Sequence, residues 1–512
     1  MDRFDAAIMG AGPEGLVAAI TLARSGLRVV LLEKTGAVGG RAATREFHPG
    51  FRASVYADEL AAMPARLYRT LDLARHGAIL APSPGSACIS DDRTSLFFAD
   101  EARLAGSVPE AAHASLIAFR REVGCLQQAI ESRATSIATL PRWRWFRAYR
   151  QSPRGRSWPG GGWGSASLEE LLRVRIPDPM LRLHLAAEAV SGRAASPFLA
   201  GTALHALAPG AGRSGQPPGG LGRLGGALAA AAAAAGVTIR CNAEVTDIQV
   251  KRGRATALVV AEHEEIPARA FLSALDLKRT FLGLIAWSAL PATLVKRVGR
   301  FRAAGQMARV LFALDAPPKW ALPCDGPELA AGPVHVVESL EALSLSHDLW
   351  RAGVVPEAPL VTLRVPSFAD PRLAPVGKAV MTATVSAMPA LLFDDSWLGK
   401  RKRAQLTAIA LAAAERAMPG VTSLVLGHDT IVGPDIEIAL GVTGGDVEGG
   451  EFAPDQALGF RPFGDAEWRD GRTPIGSLYL AGPSSSASPL LLGASGERAA
   501  LAVLADIEAG RL

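Results

Sequence analysis

Three glycines near the start of the chain, Gly10, Gly12 and Gly15, stand at the spacing that lets a backbone wrap a pyrophosphate. The first position permits a tight turn, the second lets the main chain approach phosphate oxygens, and the third lets a helix pack closely on the strand beneath it. A helix starting there aims its amide donors and the positive end of its dipole at the anion. Glu33 follows about 20 residues on, where a carboxylate accepts hydrogen bonds from a ribose diol and repels a phosphorylated ribose. Lys34 and then Gly39-Gly40-Arg41 come next, adding close-approach glycines and a planar cationic donor.

Elements to hold these residues are legible around them. An apolar run from Phe4 to Met9 leads into Gly10-Ala-Gly12-Pro13-Glu14-Gly15, then a helical pattern from Leu16 to Ser25, then a second apolar run from Leu27 to Leu32. This is strand, turn, helix, strand: one βαβ unit. Two other glycine sets share the spacing, Gly210/Gly212/Gly215 and Gly220/Gly222/Gly225, but no strand precedes either. The second is expected to be a glycine loop leading into an alanine-rich helix. That helix, around Ala227 to Val237, is too short to span a bilayer.

Composition narrows the classes. The 512 residues are 49% hydrophobic and 20% charged, the balance of a globular chain with a large core. A net charge of +5 over this length is a weak field, so no nucleic-acid partner is expected. Cys88, Cys125, Cys241 and Cys324 are far apart, with no CxxC pair, so neither a disulfide framework nor a metal site is expected. The first nine residues carry two acids and lack the apolar run of a signal peptide, which points to the cytoplasm.

The Glu33-x5-Gly39-Gly40-Arg41 run resembles the extended fingerprint of FAD-dependent oxidoreductases in the amine oxidase and phytoene desaturase superfamily. His48-Pro-Gly-Phe-Arg52 and Leu71 to Gly77 resemble the early region of its phytoene desaturase-like side, closest to the pyridine nucleotide-disulfide oxidoreductase domain protein 2 branch. Pro217 to Gly222, Glu244-Val245, Phe271 to Asp276, Gly441 to Asp446, Ser477 to Gly482 and Gly493 to Gly496 resemble later segments of the same family. The resemblance implies FAD as cofactor, held by Gly10, Gly12, Pro13, Glu14, Gly15, Glu33, Lys34, Gly40, Arg41, Val245, Gly482 and Leu491, with the backbone of Val245 at the adenine. It also implies an α/β fold: a Rossmann-like FAD-binding domain assembled from three chain segments (1–78, 213–290, 425–512), with an α+β substrate domain inserted (79–212, 291–424).

Departures from the family are local. The glycine-rich run that family members often carry after the last strand is replaced by Ser484 to Leu491, a His-Gly by Gly449-Gly450, and the acid that usually follows Gly482 by Pro483. The implied activity is hydride transfer from a substrate C–H to the flavin, chemistry that the cofactor carries. No acid or base declares itself, so the catalytic residue is left unassigned. Tyr56, Asp58, Asp446, Glu448 and Glu451 are candidates to line the pocket. A desaturase acting on a small apolar, isoprenoid-like substrate is the first reading; an amine oxidase, or a non-redox member keeping the fold, are the alternatives.

Two further expectations concern the rest of the chain. Residues 168–191 show helical spacing with Ser165 to Ser167 as caps, and Leu360 to Val365 and Ala379 to Val385 alternate like strands beside a pocket. Arg and Trp interleave over 141–163 with no acid, a pattern suited to a solvated, partly packed loop, to peripheral contact with a membrane surface or, last of the three, to base stacking and phosphate contacts with a nucleic acid.

Overall fold

The computed structural model describes residues 4–512 except 60–62, 80, 83–84, 92, 99–107, 109, 134–162, 208–214, 323–328, 330–331, 394, 458–459 and 486–490. The apolar runs at the N-terminus become β1 (Ala6–Met9) and β2 (Val29–Leu32), joined by α1 (Pro13–Arg24). Both strands are buried throughout because they carry no polar residue for a solvent face. Ala6 and Ile8 pack into one core, Ala7 and Met9 into another on the opposite side of the sheet. The sheet is parallel, five-stranded, in the order β19-β13-β1-β2-β9, with β9 (Thr238–Arg240), β13 (Ala270–Ser273) and β19 (Leu478–Leu480) supplied by two distant chain segments. On one face lie α1, α6 (Gly222–Ala234) and α11 (Ala494–Glu508); on the other lies an antiparallel sheet of β10 (Val245–Lys251), β11 (Arg254–Val260) and β12 (Glu264–Pro267), with α7 (Ala292–Arg300).

A second, seven-stranded sheet runs β18-β14-β17-β16-β15-β6-β7. Its strands are β6 (Gly85–Ser90), β7 (Arg93–Phe98), β14 (Met307–Leu314), β15 (Val334–Val336), β16 (Val361–Arg364), β17 (Ala379–Ser386) and β18 (Val425–Ile431). The expected strands at 360–365 and 379–385 are β16 and β17. The parallel pairing of β15 with β6 interrupts an otherwise antiparallel ladder. The segment placed at 425–512 in the FAD-binding domain therefore opens inside this sheet: β18 pairs with β14 over Val425 to Ile431, and the chain returns to the parallel sheet only at β19.

Alternation gives the seven-stranded sheet two unlike faces. Val310, Phe312, Val361, Leu363, Met381 and Ala383 pack under α9 (Lys400–Ala417) in an apolar core. The opposite face is also buried, yet it carries Arg309, His335, Thr362, Arg364, Thr382 and Thr384. Over that face lie α4 (Leu168–Arg175) and α5 (Pro179–Val190), the expected helix pair; Ser167 and Asp178 cap them by accepting from the amides of Glu170 and Leu181.

The remaining elements are α2 (Ala65–Thr70), α3 (Glu110–Arg133), α8 (Leu340–Arg351), α10 (Gly433–Leu440), the hairpin β3 (Thr44–His48) and β4 (Phe51–Ser54), and the short pair β5 (Ala81–Pro82) and β8 (Gly215–Gln216). Residues 141–162 of the arginine and tryptophan run lie outside the described residues. Trp163, its last member, is buried and stacks on Phe119, so it belongs to the core and not to a surface. Among the described residues no helix is long and apolar enough to cross a membrane.

Candidate dinucleotide site

The loop between β1 and α1 is shaped by what each glycine would meet if it carried a Cβ. At Gly15 that atom would sit 2.0 Å from the carbonyl oxygen of Gly10, and Gly10 itself has φ +92°. At Gly12 it would meet nothing within 4 Å, so the loop's open side lies over Gly12. Gly40 (φ +51°) comes against the protein side of that residue, where a Cβ would be 3.1 Å from the Cα of Gly12. The start of α1 has Pro13 in its first turn and no side-chain cap. Its amide donors are therefore not covered by a capping side chain.

Glu33 closes the site from the end of β2. One carboxylate oxygen accepts from the amide of Ala11 at 2.9 Å, and the other from the amide and hydroxyl of Thr35 at 3.0 and 2.9 Å. A carboxylate has about four acceptor positions, so one remains. Arg41 donates through Nη1 to the carbonyl of Val447 at 2.9 Å, whereas its Nη2 is buried with no hydrogen-bond partner. A buried guanidinium nitrogen without an acceptor, beside a glycine loop with an open face, suits a diphosphate.

Other expected site residues are placed differently. Glu14 turns away from the loop's open face: its carboxylate accepts from the amides of Gly493 and Gly496 at the start of α11, with Arg41 3.8 Å away. Burial raises its pKa, against the lowering effect of Arg41 and the two amides. Lys34 donates to the carbonyl of Ile438, tying the end of β2 to α10. Val245 opens β10 and is buried; Leu491 lies in the core that packs around α5. Gly482 follows β19 and donates to the carbonyl of Ser273; a Cβ there would be 2.4 Å from the carbonyl oxygen of Leu275. The glycine set Gly220/Gly222/Gly225 leads into α6, with Gly220 and Gly222 against Thr44 and Gly225 against Gly39, as a helix-packing loop should be.

The segment after α10 folds around buried charge. Arg193, just past α5, grips Glu448 with Nε at 3.0 Å and Nη2 at 2.6 Å. Arg461 is fully buried and donates to the carbonyls of Glu448, Gly450, Glu451, Gln456 and Pro483, so it holds the Gly449-Gly450 and Pro483 stretches in register. Asp446 accepts from the amides of Glu448 and Gly450, and burial, with Glu448 beside it, pushes its carboxyl up to about 7. Glu451 pairs with Arg302 nearer the surface.

Toward the seven-stranded sheet, Asp58 meets Arg309 in a buried bidentate pair, at 2.7 Å for one arm, and accepts from Thr382 at 2.9 Å. Burial raises the Asp58 carboxyl, but the guanidinium more than offsets it and holds the group below the usual carboxylate range. Arg364 binds Glu59 at 3.0 Å. His184 bridges Ser86 and Ser95 and stacks on Phe97, with ring centroids 3.8 Å apart, while His335 contacts Thr362 and leaves its Nε2 buried without a partner. Burial pushes His335 down to about 3, which keeps it neutral at physiological pH. Tyr56 is buried at the hairpin side of this face, and burial raises its phenol. Arg309, Arg364 and His335 were not singled out from the sequence; an arginine alternating with aliphatics in Met307 to Leu314 was the available signal. Among the described residues no cluster of side chains has the makings of a metal site.

Comparison with known proteins agrees with this geometry. The family described as an NAD(P)-binding Rossmann-like domain matches residues 8–72. The pyridine nucleotide-disulfide oxidoreductase domain-containing protein 2 of Rattus norvegicus is 27% identical, across 99% of this chain and 94% of that protein. Among solved structures, an oxidoreductase from Methanosarcina mazei superposes with a TM-score of 0.60 at 16% identity, covering 98% of this chain and 99% of that one. Putrescine oxidase bound to putrescine superposes with a TM-score of 0.57 at 16% identity, covering 99% of both chains. The chain thus carries a Rossmann-type dinucleotide-binding domain, is similar along its length to the pyridine nucleotide-disulfide oxidoreductase domain-containing protein 2, and has the fold of the amine oxidases.

Proposed function

We propose that this chain is an FAD-dependent oxidoreductase that takes a hydride from a C–H bond of its substrate. The observation that carries this reading is the open face of Gly12 together with Nη2 of Arg41, which is buried without a hydrogen-bond acceptor and 3.8 Å from Glu14. The uncapped start of α1 and Arg41 would hold the diphosphate, Glu33 the ribose, the backbone of Val245 the adenine, and Gly482 with Leu491 the flavin end. When bound, FAD accepts the hydride, so the hard chemistry belongs to the cofactor. The protein's own residues position and seal. Arg193 locked on Glu448 ties the closing segment to the end of α5, and Arg461 fixes the turns on either side of it. Asp446, with its carboxyl near 7, is the group in that segment suited to holding a proton close to neutrality.

A desaturase acting on an apolar, isoprenoid- or carotenoid-like substrate is the reading that the sequence resemblance carries, and the arginine and tryptophan pattern over 141–163, less the buried Trp163, is what adds contact with a membrane surface. One observation favours a second. The buried sheet face that abuts the Ser54 to Glu59 loop bears Arg309, Arg364, His335 and three threonines, surroundings better matched to a substrate with a polar or ionisable group. An amine is one such substrate. The test is the visible absorption spectrum of the purified chain, followed by anaerobic reduction with a polyene or with a primary amine. A flavin spectrum bleached by one of the two would select between the readings. A colourless protein that added FAD cannot restore would overturn both and leave a non-redox member of the fold.

A further inference from the structure

Helix α5 turns polar side chains toward the seven-stranded sheet. His184 bridges Ser86 of β6 and Ser95 of β7, and Ser191, just past the helix, meets Thr362 of β16 at 2.7 Å. Glu188 lies four residues after the first and three before the second, so it faces the same way. Unlike them, it forms no hydrogen bond or ion pair with a described residue. A carboxyl so placed is costly to bury and calls for a donor.

An unmatched base stands close by. Arg120 of α3 spreads over the ring of Phe97, 5.2 Å from its centroid, and His184 stacks on the same ring. Among the described residues the Arg120 guanidinium makes one hydrogen bond, to the carbonyl of Phe98 at 3.3 Å, and no ion pair. Glu188 and Arg120 each feel the other's charge without coming into contact. Burial is the largest influence on both, raising the carboxyl and lowering the guanidinium, yet each keeps part of its surface open. The space beside them is therefore enclosed by protein but not packed by it. Glu59 and Arg364 also act on Glu188, in opposite senses, and pair with each other at 3.0 Å.

Building on the polar-substrate reading, we propose that Glu188 and Arg120 bind the zwitterionic head of an α-amino acid, the ammonium on Glu188 and the carboxylate on Arg120. An amine alone would leave the arginine unmatched, and a carboxylic acid alone the glutamate. The two charges of an α-amino acid sit on one carbon, which suits an acid and a base that sense each other but do not touch. The guanidinium fork grips a carboxylate through two parallel bonds. Phe97, Leu116 and Phe119 belong to the apolar core alongside, which favours an apolar side chain on the ligand. The site lies beside the closing segment, because Arg193, five residues past Glu188, grips Glu448 there.

The test is calorimetric titration of the purified full chain with L-leucine and L-phenylalanine, each beside its matching amine and acid. These are 3-methylbutylamine and 4-methylpentanoate for the first, phenethylamine and 3-phenylpropanoate for the second. At least one amino acid should bind about tenfold or more tightly than its single-charge partners. Glu188→Gln should weaken the amino acid and the amine by a similar factor and leave the acid unchanged. Arg120→Gln should weaken the amino acid and the acid and leave the amine unchanged. A packing role would not split the ligands in this way. Unchanged circular dichroism checks the fold, and Glu188→Gln, which keeps the side chain's shape, stands as the readout if Arg120→Gln does not fold. No binding of either amino acid, single-charge partners that bind as tightly, or variants that weaken all three ligands alike would overturn the assignment. Titration heats do not need the flavin, so a colourless chain that binds leucine in the expected pattern would uphold the head-group site and sink the redox reading alone.

Discussion

Glu14 accepts the main-chain amide of Gly493 at 3.0 Å, joining residues 479 positions apart in the chain. Its second oxygen takes the amide of Gly496 at 3.3 Å. A side chain in the glycine loop thus caps the last helix of the Rossmann domain, where a carboxylate meets both orphan amides and the positive end of the helix dipole. The helices cross closely at this point: a Cβ on Gly496 would lie 2.0 Å from the carbonyl oxygen of Glu14.

Replacing Glu14 by Gln turns one of these acceptors into a donor that faces an amide. The buried amide left unsatisfied should lower stability by about 1–3 kcal/mol. A urea titration of the variant reads this as a reduced midpoint with an unchanged slope. An unaltered midpoint would show that the clasp contributes nothing.

The glycine loop separates a fold requirement from a ligand requirement. Gly12→Ala puts a methyl into open space at a residue with φ −70°, so the fold should lose less than about 1 kcal/mol while the FAD content of the purified protein falls several-fold. Gly15→Ala drives a methyl into the carbonyl of Gly10 and should destabilise the protein itself. Measuring flavin content and thermal midpoint together distinguishes the two. Full flavin loading in Gly12→Ala would place the diphosphate elsewhere.

Part of this was legible in sequence for a physical reason. The βαβ start is built from neighbours, so apolar runs, glycines and the strand-end acid Glu33 declare it within forty residues. The role of Glu14 is invisible there, because the amides it binds lie on α11. β19 has three residues and joins the sheet by pairing with β13, so its place depends on a contact no local pattern encodes. The boundary at 425 groups β18 with the parallel sheet, whereas β18 pairs with β14, which lies over a hundred residues upstream. The polar face of the seven-stranded sheet was within reach: Met307 to Leu314 alternates around Arg309, and Ala379 to Ser386 around Thr382 and Thr384.

Asp446 should make stability depend on pH near neutrality. Its carboxyl sits at about 7 in the folded chain, above the ordinary value near 4 that applies when unfolded. With the folded pKa raised, the contribution is fully present below about pH 4 and is lost as pH rises through 7. Between pH 5 and 8 this group alone should cost about 2.5 kcal/mol. Asp446→Asn cannot ionise, so the difference between its stability and that of the parent should shift in its favour by that amount over the same range. Denaturant midpoints at both pH values give the answer, and a difference independent of pH would remove Asp446 as the titrating group.

Arg309 and Asp58 supply the sharpest test of the buried polar face. Both are almost wholly buried, and each meets the other through two arms, with Thr382 and the carbonyl of Ser54 taking further bonds. Taking both charges out of water carries a large desolvation penalty, so the intact pair adds little to stability, yet removing one partner strands the other. Asp58→Leu should therefore cost about 3–5 kcal/mol, and Arg309→Met a similar amount through the unpaired carboxylate. The combined Asp58→Leu and Arg309→Met chain should be less destabilised than the sum, because neither charge is left alone. If this face serves a polar substrate, the combined variant should keep its flavin and its fold while losing turnover with an amine. Full retention of both would mean that the pair fixes the packing of the Asp58 loop on the sheet and takes no part in choosing the substrate.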